Sequence, residues 1–220
     1  LSDLDLGMNT WTSKPFTYPD KPFDRGKVLD QEKLKAIEAW GRYKDVDGDG
    51  VPWRTVPGTG MPAFFTRGSG HNAMALYSEK PDDYVANVDR LAHKFDTART
   101  LVPAPIVQRD EKASVGIIAY GSSHWAVEEA RDQLREESEI ATSYLRLRAY
   151  PFTPEIDDFI RRHDRVYVVE QNRDAQMLSL LRMDTDATQV ARLRSVLHYN
   201  GLPIDARSIT DSILAQEKVA

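Results

Sequence analysis

Downstream of about residue 113 the chain alternates short apolar runs with amphipathic stretches, and that alternation predicts the fold of this half. Val115-Gly-Ile-Ile-Ala-Tyr120 is apolar almost throughout, as a strand covered on both faces must be. Gly121-Ser122-Ser123 ends it, and His124 to Glu137 follows with Val127, Ala130 and Leu134 on one helical face. Ser143 to Arg148 alternates with the period of a strand. Pro154 starts a short helix with Ile156, Phe159 and Ile160 turned inward. Val166-Tyr-Val-Val169 is the next buried strand, Ala175 to Met183 a helix and Ser195 to Tyr199 a strand, and Asp205 or Ser208 caps a last helix. This βαβαβαβα order predicts a mainly parallel sheet with helices on both faces. The right-handed crossover rule leaves few topologies for it.

The first half has no such rhythm. Residues 10–30 are rich in Pro and aromatics, and Pro15, Pro19 and Pro22 forbid a regular helix there, so the segment is expected to be extended over another surface. Asp30 is placed to cap a short helix from Gln31 to Tyr43, with Leu34, Ile37 and Trp40 on one face. A longer helix is predicted from Pro81 to about Arg99, with an apolar stripe of Tyr84, Val88, Leu91 and Phe95 that packs while the rest is solvated. Leu101 to Gln108, with two prolines and the charged run after it, reads as the linker between the halves. The opening Leu1-Ser-Asp-Leu-Asp-Leu-Gly-Met-Asn9 reads as the end of a buried strand and its loop. It has neither an initiating Met nor a signal-peptide pattern, and we expect it to continue a longer polypeptide.

Between Tyr43 and Asn72 lies a long stretch punctuated by glycine and proline, with no period of either helix or strand. So long a segment without regular structure inside a domain is functional or disordered. Tyr43, Trp53, Phe64 and Phe65 argue for order, since such rings need burial. Asp45-Val-Asp47-Gly-Asp49-Gly50 matches the first half of an EF-hand loop, but position twelve is Val56 where a bidentate Glu is needed. A small structural Ca²⁺ or Mg²⁺ site stays open, an Asp-Gly turn closed by its own side chains is the simpler reading, and no metal ligand is assigned. Arg54 and Thr66-Arg67 are the sharper candidates. A guanidinium fork holds a carboxylate by two hydrogen bonds, and a Thr hydroxyl adds a third. From the residues alone, pairing of both arginines with acidic neighbours such as Asp47 or Asp49 is the simpler account. His71 and Asn72 are given a supporting role.

Two further places carry polar residues at strand ends. Gly121-Ser122-Ser123 lies where open α/β sheets bind ligands, although it has neither a dinucleotide fingerprint nor a P-loop lysine; an anion site and an ordinary strand-to-helix turn both stand. Glu170-Gln171-Asn172, with Gln176 beyond, either faces a partner or cofactor or caps the next helix. No catalytic triad, activated Cys or paired catalytic carboxylates can be named, so no catalytic residue is assigned.

Composition narrows the classes further. A net charge of −5 leaves no basic footprint for nucleic acid, and no apolar run nears the ~20 residues of a membrane helix. With no Cys, the chain itself holds no disulfide, Cys-ligated zinc or iron–sulfur cluster. That usage is compatible with the cytoplasm.

Taken in order, SDLDLGMN, RYKDVDGDGVPWRTVPGTG, FFTRGSGHN, IIAYGSS, YLRLRAYPF and VYVVEQNRDAQ resemble the α subunit of 2-oxoacid:ferredoxin oxidoreductases, most nearly the 2-oxoglutarate type. The resemblance covers nearly the whole chain. It implies the C-terminal part of a pyrimidine-binding thiamine-diphosphate domain over residues 1–110, loop-rich, followed by an α/β transketolase C-terminal-like domain over 113–220. It implies CoA-dependent oxidative decarboxylation of a 2-oxoacid, with ferredoxin as electron acceptor. Thiamine diphosphate, Mg²⁺ and a [4Fe-4S] cluster are then expected on a β subunit, and the glutamate that activates the cofactor belongs upstream of Leu1. The expected partners are the β subunit, the rest of the α subunit and ferredoxin, in the cytoplasm. Arg54-Thr55-Val56-Pro57-Gly58 matches the context of the family's substrate arginine, so Arg54 is expected to bind the 2-oxoacid, and Thr66 is chosen as its companion. Ala175 stands where relatives often have Gly. A non-catalytic subunit-assembly module, and a component of another thiamine-diphosphate enzyme of the transketolase or 2-oxoacid dehydrogenase type, are the alternatives.

Overall fold

The strands order as β1-β3-β2-β4-β5: β1 (Ile106–Gln108), β2 (Val115–Tyr120), β3 (Thr142–Leu147), β4 (Arg165–Glu170) and β5 (Leu193–Leu197). All neighbours are parallel except β1, which runs antiparallel to β3 with Ile106 opposite Arg146. This computed structural model describes the whole chain except residues 1–3, 9, 11, 13, 61–65 and 219–220 and the side chains at 4 and 5. The α/β class and the mainly parallel sheet are as the apolar pattern predicts.

Successive residues of a strand point to opposite faces, so each run fills two cores. Ile117 and Ala119 of β2, with Tyr167 and Val169 of β4, pack under α4 (Ser123–Ser138) and α8 (Ala206–Glu217) through Val127, Ala130, Leu134, Ile209 and Ile213. Ile118, Val166 and Val168 face the other way, onto Phe159 and Ile160 of α5 (Pro154–Arg161) and Leu178 and Leu181 of α6 (Gln176–Asp184). A one-turn helix, α7 (Ala187–Val190), leads into β5. After β2 and α4 the chain adds β3 on one side; α5 then carries it across the opposite face to β4 on the other side. Asp205, not Ser208, is the cap of α8: its carboxylate accepts from Ser208 N at 2.8 Å.

Where the polar strand ends were ambiguous, geometry decides. Glu170 is fully buried and its carboxylate accepts from Met177 N (2.6 Å), Leu178 N (2.9 Å) and Asn172 Nδ2 (2.9 Å). It therefore caps α6 from beneath, where the free N–H groups and the helix dipole favour a carboxylate. At the end of β2, Gln171 Nε2 donates to Ser122 Oγ (3.0 Å) and Ser123 Oγ (3.2 Å), so both hydroxyls are engaged in the protein's own network. The capping reading accounts for Glu170, and the turn reading for Gly121-Ser122-Ser123.

Three expectations about regular structure need correction. The stretch read as a linker ends in edge strand β1; its two prolines precede the paired residues, a placement an edge tolerates. Residues 4–8 form a one-turn helix, α1 (Leu4–Met8), where a strand end was expected; the rest of that stretch lies partly outside the described residues. The helix after Asp30, α2 (Gln31–Ala36), stops well before Tyr43. Ile37 is already extended and Ala39 is left-handed, because Tyr43 N donates instead to Ala73 O at 3.0 Å. Tertiary pairing overrides helix propensity here.

By contact density the chain divides into Lys14–Leu101 and Val102–Ala220, the second counted with Leu1–Ser13. The first unit is built on α3 (Pro81–Arg99), which spans the predicted residues. Its apolar stripe does not pack as expected: Tyr84 is 71% and Val88 46% exposed. Tyr84, Val88 and Leu91 instead line an open groove of about 710 Å³ with Gly70, His71 and Pro81.

Ala175 precedes α6 with φ +50°, the left-handed region that costs an L-residue roughly 1–2 kcal/mol. Ala175→Gly is expected to raise unfolding stability by about 0.5–1 kcal/mol once glycine's greater unfolded-state entropy is offset. Urea midpoints measure it, and a lower midpoint for the variant would contradict the assignment.

Candidate functional site

The long loop is ordered by its aspartates. Asp45 accepts from Gly48 N (3.0 Å) and Gly50 N (2.9 Å), and Asp49 accepts from Val51 N (2.9 Å). These are side-chain-closed turns of the kind Asp-Gly sequences favour. Gly50 has φ +76°, and a Cβ there would overlap the backbone of Lys94 in α3, so only glycine lets the loop touch the helix. Thr97 Oγ1 donates to Asp49 O (2.6 Å) and Arg90 Nη1 to Gly50 O (3.1 Å), and together they clasp the loop onto α3.

Asp45, Asp47 and Asp49 bring carboxylate oxygens together as a cation site would. The protein supplies its own cation: Lys27 Nζ lies 2.6 Å from Asp47 Oδ1 and 2.6 Å from Asp49 Oδ2. Trp53 Nε1 donates to Asp47 Oδ2 at 3.2 Å, with Lys27 also over its ring. A set bridged by an ammonium at two of its carboxylates and committed to backbone N–H groups at Asp45 and Asp49 does not suit a magnesium diphosphate.

That pairing settles the question the sequence left open for Arg54. Lys27, not an arginine, takes Asp47 and Asp49. Arg54 is held by its backbone instead, its N donating to Lys27 O and its O accepting from Leu29 N, both at 2.9 Å. Its Nη2 donates to Arg25 O at 3.0 Å, and among the described residues no carboxylate pairs with it. The side chain lines a cleft of about 340 Å³ together with Arg25, Lys27, Arg42, Arg90 and Lys94. Val51, Pro52 and Leu91 complete much of the wall, and no acidic residue contributes to it. In a chain of net charge −5 this is a local concentration of positive charge. The volume lies within the ~300–1,000 Å³ usual for small-molecule clefts.

Other sequence candidates fall elsewhere. Thr66 is exposed and is not part of the cleft lining. Arg67 is used in holding the loop: its Nε donates to Ala75 O (3.0 Å), its N to the Tyr43 hydroxyl (3.0 Å), and that hydroxyl donates to Arg67 O (3.1 Å). His71 stacks on Tyr43 with centroids 3.9 Å apart, and Asn72 Oδ1 accepts from Met74 N and Leu76 N, which matches the supporting role read for them. The sequence reading missed Arg42, Arg90 and Lys94. Arg90 and Lys94 stand four residues apart on one face of α3, a spacing that marks a shared face but not what it faces.

The fold is thus of the α/β class with a mainly parallel sheet, joined in sequence to a loop-rich unit that carries a basic cleft. No family model matches the chain. It is 25% identical over 197 residues to subunit alpha of 2-oxoacid:ferredoxin oxidoreductase 2 of Aeropyrum pernix, a match that takes in 87% of this chain and 29% of that protein. The chain therefore spans less than a third of that curated relative. The 2-oxoglutarate:ferredoxin oxidoreductase of Magnetococcus marinus, solved with 2-oxoglutarate, coenzyme A and succinyl-CoA bound, matches 83% of this chain and 31% of its own chain with a TM-score of 0.67 and 20% identity, a likeness of fold. The family resemblance read from the motifs is upheld: the chain is similar to the α subunit of 2-oxoacid:ferredoxin oxidoreductases.

The lysine–aspartate clasp predicts a pH dependence. The hydrogen bond from Lys27, helped by Val51 N, lowers the pKa of Asp49, so the stability it adds is present above about pH 4 and is lost as pH falls through its folded value. Burial pulls the Lys27 ammonium down, but Asp47 and Asp49 outweigh it and raise its pKa, so its share is lost only above about pH 10. Lys27→Met is expected to cost at most about 1 kcal/mol at neutral pH and to flatten the loss of stability below about pH 4. Denaturant midpoints across pH measure this, and identical curves for the two proteins would contradict it.

Proposed function

We propose that this chain is part of the α subunit of a 2-oxoacid:ferredoxin oxidoreductase, and that Arg54 receives a carboxylate of the 2-oxoacid. The observation that carries the reading is the cleft: Arg54 stands among other cations with no acidic wall, in a chain similar to such a subunit. A bound carboxylate relieves the mutual repulsion of the cations and gains charge-assisted hydrogen bonds from the fork. Held at one end, the substrate is oriented before any bond breaks, which is the entropic part of catalysis.

The reaction proposed is CoA-dependent oxidative decarboxylation with ferredoxin as acceptor. 2-Oxoglutarate is the proposed substrate and coenzyme A the co-substrate, ligands with which the Magnetococcus enzyme was solved. Thiamine diphosphate supplies the carbanion chemistry when bound in such enzymes. The only acidic cluster found among the described residues is occupied by Lys27, so we place Mg²⁺, the diphosphate and the [4Fe-4S] cluster on a β subunit and derive no step through them. Thr66 as a second substrate contact, the assignment of 1–110 and 113–220 to the pyrimidine-binding and transketolase C-terminal-like domains, and a cytoplasmic complex of α and β subunits are parts of the same proposal. Among the described residues no helix is long and apolar enough to cross a membrane.

In the assembled enzyme, Arg54→Ala is expected to raise KM for the 2-oxoacid roughly ten- to a hundredfold, the range set by losing a hydrogen-bonded charge. The affinity for ferredoxin should not change. Steady-state kinetics with varied 2-oxoacid test this; an unaltered KM would remove Arg54 from the substrate site.

A further inference from the structure

Arg42 and Arg90 share the cleft with Arg54, and both are under-satisfied. The Nε atom of each is buried and has no hydrogen-bond partner among the described residues. Burial lowers the pKa of the Arg90 guanidinium; the Asp45 carboxylate opposes this and the charge of Arg42 adds to it. Asp45 acts on Arg90 only through space: its oxygens accept from Gly48 N and Gly50 N, and among the described residues it forms no ion pair with either arginine. Arg90 spends Nη1 on Gly50 O, and Arg42 lies over the Tyr43 ring at 5.3 Å. Two neighbouring guanidiniums with buried, unpaired Nε–H groups are expensive to maintain unless an oxyanion completes them.

The wall of the cleft indicates the shape of that anion. The cationic lining includes Arg54 as well as the Arg42 and Arg90 pair, with Val51, Pro52 and Leu91 among the same lining residues. A ligand with two anionic groups on a short apolar stem matches this composition, whereas inorganic phosphate has no stem for the apolar wall. We propose that Arg42 and Arg90 bind the second carboxylate of a dicarboxylic 2-oxoacid whose other carboxylate is held by Arg54, and so select dicarboxylic over monocarboxylic substrates. The proposal rests on the reading of Arg54 as the substrate arginine and assigns the selecting residues to that same site.

The test uses the assembled enzyme and two dead-end ligands, glutarate and butyrate, which differ by one carboxylate. Inhibition constants and calorimetric affinities are measured for the wild type, Arg42→Gln, Arg42→Lys, Arg90→Lys and Arg54→Ala, with inorganic phosphate as a third ligand. The preference for glutarate over butyrate should fall roughly tenfold or more in Arg42→Gln, in line with a lost charged hydrogen bond. Arg42→Lys should restore part of it. Arg90→Lys keeps a donor toward Gly50 O and should also lose preference, because an ammonium cannot reproduce the side-on fork. An unchanged preference in Arg42→Gln and Arg90→Lys, with Arg54→Ala still raising KM, overturns this inference and leaves the functional reading standing. Phosphate binding as tightly as glutarate also overturns it. A complex without 2-oxoacid activity that binds glutarate through Arg42 overturns the functional reading and keeps the dicarboxylate site.

Discussion

One close approach underlies the loop-rich unit: the backbone of Gly50 lies against the backbone of α3 near Lys94, where no side chain fits. Everything nearby depends on that contact. The aspartates before it close tight turns so that Gly50 can arrive with positive φ. Lys27 bridges Asp47 and Asp49, which would otherwise repel one another at short range. The donors of Arg90 and Thr97 then pin the loop's carbonyls to the helix. Arg54 follows four residues later, tied by its backbone to Lys27 and Leu29, and so shares a cleft with the basic face of α3.

This arrangement explains why a chain of acidic balance contains a basic pocket. The acidic residues of the loop point their carboxylates at N–H groups and at Lys27, and are consumed there. Among the described residues Arg42, Arg54 and Arg90 form no ion pair with a carboxylate, and the cleft they line has no acidic wall. A motif resembling a calcium loop thereby becomes scaffolding for the basic cleft: the same carboxylates that would hold a cation hold a turn, and a lysine bridges two of them.

The fold of the second unit was legible because periodicity and burial coincide in it. Val115 to Tyr120 and Val166 to Val169 are apolar on both faces since helices cover both, and Ile156, Phe159 and Ile160 fall on one side of a helix begun by Pro154. The edge strand Ile106–Gln108 was not legible: three residues beside prolines carry no period, and only β3 gives them a reason to be extended. Nor was the early end of the helix after Asp30, which tertiary pairing with Ala73 decides. In the candidate site, Arg54 stood out through its motif and its glycines. Arg42, Arg90 and Lys94 did not, since ordinary helix and loop residues acquire a role only when Gly50 brings the loop to them. Thr66 was chosen from the family resemblance as the companion of Arg54; it is exposed and is not among the residues that line the cleft.

Hydrogen exchange read by mass spectrometry on the assembled enzyme tests the central claim, that the clasped loop and α3 form one ligand-binding surface. Peptides covering 45–54 and 88–97 are followed with and without 2-oxoglutarate. The expected result is added protection in both segments together, weakened in Arg54→Ala. Protection elsewhere in the complex, with both segments unchanged, would contradict it.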